Sequence, residues 1–107
     1  MSNDPKGLID SHVHLQEEVL EGHLDGVLTR ARAAGVTCMV CNGTHEGDWP
    51  QVRQLAEAHP DIVPFFGLHP WFVSERSAHW QEKLAAHLAA IPSGIGEIGL
   101  DRWLRER

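Results

Sequence analysis

The chain has 107 residues, enough to bury one small core and too few for two. With 42% hydrophobic and 22% charged residues it is composed like a globular domain, and its apolar runs are too short to cross a bilayer, so no membrane association is expected. A formal charge of −6 excludes a surface that gathers nucleic acid through phosphate contacts alone, although bound divalent cations would reverse the sign locally.

Met1 to Lys6 is polar and leads straight into apolar sequence, with no signal-peptide pattern, so a cytoplasmic location is expected. Gly7 to Leu15 reads as a first strand. It contains Asp10-Ser11-His12-Val13-His14. Alternate side chains of a strand share a face, so His12 and His14 project together, spaced to grip one metal ion, with Asp10 one step below. Leu24, Val27, Leu28 and Ala31 then repeat with helical spacing, and Gly35 is placed to end that helix. Val36 to Asn42 is a second strand. Asp48 is placed to cap a helix with Pro50 in its first turn; Val52, Leu55, Ala56 and His59 form its inner stripe, and Pro60 stops it. Ile62 to Leu68 is a third strand. Trp80, Leu84, Leu88 and Ile91 make a third helical stripe, closed by Pro92-Ser93-Gly94, and Ile95 to Leu100 is a fourth strand.

The alternation β-α-β-α-β-α-β with short connections is the signature of right-handed crossovers in a parallel sheet. Four parallel strands do not close a barrel, which typically needs about 250 residues. The fold class is therefore α/β, with parallel β/α units forming the first half of a TIM barrel: about four strands and three helices, residues 1–107 being one N-terminal half-domain. An open flavodoxin-like sheet is the structural alternative. Cys38 and Cys41 form a C-x-x-C string, but on a strand residues three apart face opposite ways, so they read as reduced, buried cysteines.

The residues with chemistry fall at strand C-termini, where barrel active sites gather. His12 and His14 end the first strand, and neutral imidazole is the commonest divalent-metal ligand. Glu97 lies in Gly94-Ile95-Gly96-Glu97-Ile98-Gly99-Leu100-Asp101, an apolar setting where an unpaired carboxylate would be costly and a cation would neutralise it. The glycines at 94, 96 and 99 leave room for close backbone approach or a ligand. Asp101 reads as a turn or supporting residue. His69, in Gly67-Leu68-His69-Pro70-Trp71, stands at the same rim, as a phosphate or leaving-group contact or as a loop histidine ordered by Pro70. Asn42-Gly43-Thr44 reads first as a solvated turn and second as pocket lining. His23, His45, His59, His79 and His87 read as surface or helix-face residues, and Arg102, Arg105 and Arg107 as a solvated terminal cluster. Two histidines and a glutamate at strand ends make a metallohydrolase the leading reading.

Asp10-Ser11-His12-Val13-His14-Leu15, Gly67-Leu68-His69-Pro70-Trp71 and Gly96-Glu97-Ile98-Gly99-Leu100-Asp101 resemble, in order and strand placement, three successive motifs of the TatD-type family of metal-dependent hydrolases, often described as deoxyribonucleases. The H-x-H element is shared across the wider amidohydrolase-like superfamily; the G-E-I-G-L-D element is much more particular. The resemblance implies a β/α barrel holding one or two divalent ions (Mg, Mn or Zn), with His12 and His14 on one and Glu97 binding or bridging both. It implies hydrolysis of a phosphodiester, DNA included, or of a small ester, with His69 steering the substrate. Two further histidines and a late aspartate, the general base, come in that family from strands beyond the fourth, so the 107 residues alone are expected to be weak or inactive. A non-catalytic half-barrel that self-associates through open sheet edges is the alternative from another class. An amidohydrolase acting on a cyclic amide or a base is a third, disfavoured because it expects lysine or histidine where Glu97 stands.

Overall fold

The computed structural model describes residues 7–99 and 101. Seven main elements follow in order: β1 (Leu8–Val13), α1 (Leu24–Ala33), β2 (Val36–Asn42), α2 (Trp49–Ala58), β3 (Ile62–Phe66), α3 (Trp80–Ala90) and β4 (Gly94–Ile95). Two 3₁₀ segments, Glu18–Leu20 and Pro70–Glu75, were not legible as helical periodicity. The four strands form one parallel sheet in the order β1-β2-β3-β4. That order decides between the two topologies, because a flavodoxin-like sheet would place its first strand between the second and third. Sequential parallel strands are the arrangement of a barrel wall.

The helices form where the apolar spacing requires them. α1 buries Leu28 and packs Leu24, Val27 and Ala31 against the core, with Asp25 in its first turn and Arg30 and Arg32 in its last, each at the favourable end of the helix dipole. Gly35, at φ 97°, takes the left-handed conformation that ends α1. α2 buries Trp49 and Val52, and α3 buries Leu84 with Trp80, Leu88 and Ile91 beside it. Trp49, Phe66, Leu28, Val52 and Cys41 are the largest fully buried side chains. The Trp49 Nε1–H donates to the Gly67 carbonyl at 2.8 Å, which satisfies both polar groups inside the core and fixes the end of β3 against α2.

Several boundaries differ from expectation. β1 and β3 stop at Val13 and Phe66, so His14 and Leu68 lie just beyond their ladders. β4 covers only Gly94–Ile95; the Gly96 N–H still donates to the Phe66 carbonyl at 2.8 Å, then the chain leaves the sheet before Glu97. Leu100, Arg102, Arg105, Arg107 and the Met1 to Lys6 leader lie outside the described residues. Asp48 precedes α2 but does not cap it. Its backbone is already helical (φ −97°, ψ −11°), and its carboxylate turns back to accept from the Thr44 N–H, the Thr44 hydroxyl and the His45 N–H.

Cys38 and Cys41 are both free thiols, as expected. Cys38 is only half-buried, whereas Cys41 is fully enclosed; burial pushes its thiol up to about 11, and its Sγ donates to Gln16 Oε1. Among the described residues β1 and β4 each have one strand neighbour, and Leu8, Ile9, Ile95 and Ile98 stand exposed on or beside those two edges. No described helix is long and apolar enough to cross a membrane.

Candidate metal centre

His12 and His14 leave the end of β1 on one face, as period-two alternation requires, and their Nε2 atoms come within 3.2 Å with the rings edge to face. His14 Nδ1 lies 2.7 Å from the Asn42 carbonyl. A carbonyl only accepts, so Nδ1 carries the proton and the neutral ring presents its Nε2 lone pair to the cluster, the usual arrangement of a supported metal-binding histidine. Asp10 is not in the cluster; its carboxylate accepts the His12 backbone N–H at 3.1 Å.

Glu97 arrives from the far side of the sheet. Its Oε1 stands 3.4 Å from His12 Nε2 and 3.7 Å from His14 Nε2, and its Oε2 stands 3.3 Å from His69 Nε2. Oε1 is buried yet has no hydrogen-bond partner. A buried carboxylate oxygen is costly when unpaired, and a cation seated between it and the two imidazole nitrogens would pair it. The ligand atoms of His12, His14 and Glu97 all lie within 4.8 Å of one another. Donors held at about 2.0–2.1 Å on one divalent ion are roughly 3.0–3.4 Å apart, so the three residues fit such an ion with a small closure. The side chains of His12 and Glu97 are 50% and 30% exposed, leaving an open side for a further ligand or substrate.

Glycine lets Glu97 come this close. A Cβ on Gly67 would fall 2.5 Å from the Glu97 carbonyl oxygen, and one on Gly96 would fall 2.7 Å from Asn42 Oδ1. Gly94 faces the Phe65 ring in the same way. Gly99 differs: among the described residues nothing lies within 4 Å of its Cβ position, so no close approach of theirs explains that glycine.

His69 stands at the rim as expected, with a definite polarity. Its Nδ1 accepts the Trp71 backbone N–H at 3.1 Å, capping the 3₁₀ segment that Pro70 begins, so in the neutral ring the proton is on Nε2 and points at Glu97. In this tautomer His69 is a hydrogen-bond donor. Asn42-Gly43-Thr44 is not the solvated turn that was expected. Asn42 and Gly43 are buried, and the Asn42 carbonyl accepts from both His14 Nδ1 and Gln16 Nε2. Cys41, Asn42 and Gly43 are buried in succession, and the Asn42 backbone orients the histidine.

A cleft of about 570 Å³ opens beside the cluster, lined by His14, Gln16, Thr44, His45, Asp48, His69, Trp71 and Phe72 among others. A cavity of similar size, about 560 Å³, lies apart from the cluster near Leu24, Leu55 and Ala58. Sequence reasoning missed Gln16, which donates to the Asn42 carbonyl and to Asp48 Oδ2 and so ties the ends of β1, β2 and α2 together. It also placed His45 on the surface, whereas His45 packs on Phe72 with ring centroids 4.9 Å apart. His87, expected on a helix face, turns inward against Phe66 and Trp49. Asp101 is a supporting residue, accepting from Trp71 Nε1 at 2.8 Å.

Imidazoles and a carboxylate converging at the carboxyl ends of sequential parallel strands define a class, the β/α proteins that can seat a divalent cation at one rim of the sheet. A family model described as TatD related DNase matches residues 9–107, and the chain belongs to that family. Deoxyribonuclease TATDN3 of Homo sapiens is 37% identical over 106 residues, covering 89% of this chain and 38% of that protein. The 3'-5' ssDNA/RNA exonuclease TatD of Pantoea ananatis is 37% identical over 98 residues, covering 88% and 37%. The crystal structure of YJJV, a TATD homolog from Escherichia coli K12, superposes with a TM-score of 0.79 at 32% identity, over 89% of this chain and 38% of that one. The chain thus spans under two fifths of the length of these relatives.

Proposed function

We propose that residues 1–107 form the N-terminal half of a β/α barrel that hydrolyses phosphodiester or other ester bonds with one or two divalent ions, Mg, Mn or Zn, and that His12, His14 and Glu97 are its ligands. The observation that carries this reading is the buried, unpartnered Glu97 Oε1 aimed at two imidazole Nε2 atoms, one of them with its lone pair set by the Asn42 carbonyl. A divalent ion held there would polarise a phosphoryl oxygen and make water more acidic. The protein's own part is positional. Asn42 holds His14 in its ligating tautomer, Gly67 and Gly96 let Glu97 close on the pair, and His69 offers an Nε2–H to Glu97 or to a substrate oxygen. The names of the relatives, a deoxyribonuclease and a single-stranded DNA/RNA exonuclease, support a phosphodiester and DNA as the substrate.

Among the described residues a single group of three ligands converges, so this half alone is expected to turn over slowly or not at all. The exposed Leu8, Ile9, Ile95 and Ile98 on the two edges favour a second reading, a half-barrel that self-associates. The test is a calorimetric titration of the chain with Mn²⁺ and Zn²⁺, beside an assay on a chromogenic phosphodiester. His12→Ala, His14→Ala and Glu97→Gln should each weaken metal binding at least ~10-fold. Binding unchanged in all three would remove the ligand assignment, and turnover at ordinary enzymatic rates would remove the claim that this half is insufficient.

A further inference from the structure

The cleft beside the metal-ligand cluster carries aromatic side chains that the ligand set does not use. Trp71 is 58% exposed, yet it is held in one orientation. Its Nε1–H donates to Asp101 Oδ2 at 2.8 Å, its backbone N–H donates to His69 Nδ1 at 3.1 Å, and its ring meets the His69 ring edge-on with centroids 5.1 Å apart. A large apolar ring on a surface is ordinary when it is free to turn; fixed at both ends, it presents a permanent π-face to whatever enters. Phe72 and His45 line the same cleft. The connection to the cluster is direct, because the His69 that Trp71 touches stands 3.3 Å from Glu97 Oε2.

The charges narrow the occupant. The cleft is lined by Glu17, Glu18 and Asp48, and among the described residues no Lys or Arg lines it. Among these residues a phosphate backbone meets carboxylates and no cation, so the affinity this lining offers comes from a metal at one end and from the bases at the other. Base–aromatic stacking is the interaction that supplies affinity without charge and without reading sequence, and it needs a base already out of its helix.

Building on the phosphodiester reading above, we infer that the Trp71 indole is a stacking platform for a nucleobase whose neighbouring phosphate lies at His12, His14 and Glu97. The occupant this geometry takes is a single-stranded or frayed nucleic-acid end, bound without base preference, and neither a closed duplex nor a small ester. Asp101, through its bond to Nε1, is the positioning residue that holds the indole in place.

The test uses the 107-residue chain, Mn²⁺ and two short oligonucleotides with phosphorothioate linkages, one of thymidines and one with the same backbone but abasic sugars. Affinities are read by fluorescence anisotropy. The thymidine strand should bind ~5- to 100-fold more tightly than the abasic one. Trp71→Ala should bring both to the abasic level, Trp71→Phe should keep most of the difference, and calorimetry should show Mn²⁺ affinity unchanged in both variants. Equal affinity for the two strands in the unsubstituted chain, or a difference that survives Trp71→Ala, overturns the stacking role and leaves the phosphodiester reading standing. Failure of both strands to bind while Mn²⁺ binds normally overturns the phosphodiester reading, and this inference with it.

Discussion

Adding one methyl group at Gly67 should open the metal centre without touching a ligand. In Gly67→Ala the new Cβ would lie 2.5 Å from the Glu97 carbonyl oxygen, 3.0 Å from its nitrogen and 3.1 Å from its carbonyl carbon. All three are backbone atoms, so no side-chain rotation relieves the overlap. Ordinary contact begins near 3.4 Å, so the two segments must separate by about 0.9 Å. Overpacking of this kind typically costs about 1–3 kcal/mol of stability. The β3 side is anchored by the buried bond from Trp49 Nε1 to the Gly67 carbonyl, so the displacement falls on the segment after β4. Glu97 Oε1 is already 3.4 and 3.7 Å from the two imidazoles, and a retreat of that size takes it out of reach of an ion that both could share. Mn²⁺ affinity should fall ~10- to 100-fold, the range for losing the support of a ligand. Calorimetric titration of Gly67→Ala beside Gly99→Ala makes the comparison, since no described residue lies within 4 Å of the Gly99 position and its variant should bind normally. A Gly67→Ala protein that is less stable but binds Mn²⁺ as tightly as before would refute the argument that Glu97 closes the site. An equal loss in Gly99→Ala would trace the effect to general destabilisation.

Two further outcomes follow from buried titratable groups. His87 is packed near Phe66 and Trp49 with Nδ1 buried and unpartnered, and burial lowers its pKa from the usual 6.5. Its contribution to stability is complete above pH 6.5 and is lost as the pH falls through the lower folded value, because the unfolded chain takes up the proton first. Urea midpoints at pH 7.5 and 5.0 should therefore fall less in His87→Leu than in the unsubstituted chain; equal falls would show that the acid sensitivity lies elsewhere. Cys41, raised by burial from 9.0 to about 11, works in the opposite sense: its contribution is intact below pH 9 and is lost between 9 and 11. At pH 8 a thiol reagent should label half-buried Cys38 readily and Cys41 only as the chain unfolds, and simultaneous labelling of both in the native protein would contradict the enclosure of Cys41.

Much of this molecule is legible in its sequence because helix and strand periods record local burial. β2 is bounded as its β-branched run between Gly35 and Asn42 suggests, and the helical stripes of α1, α2 and α3 face the core, except that His59 lies past the end of α2 in extended backbone and meets Arg32 instead. The strand ends are harder. The segments carrying His14, His69 and Glu97 leave the ladder before the apolar pattern stops, since they are shaped by turns and close glycine contacts. Strand order is invisible to alternation, which specifies faces and not neighbours. His12, His14 and Glu97 were legible as candidates because polar residues in apolar strands are costly without a partner. Asp48 misled because a helix-capping residue and a loop-tying carboxylate look alike until the Thr44 contacts form. His87 was legible in principle: it follows Leu84 by three positions, so the stripe of α3 passes through it. His45 and Phe72 meet only because the turns after β2 and β3 bring them together, and no short-range pattern records that.

The neighbour-to-neighbour order of the sheet bears on how the protein is made. Each strand after the first lies against the one synthesised just before it, so none has to wait for a distant partner or be inserted between two strands already joined. Each pairing still closes a helix-containing crossover, so it forms only after that whole β/α unit has left the ribosome, and a parallel sheet of this kind is built unit by unit and slowly. The histidine pair, its Asn42 brace and Glu97 are then gathered in the order in which they are translated, the acidic member of the three being the last to arrive.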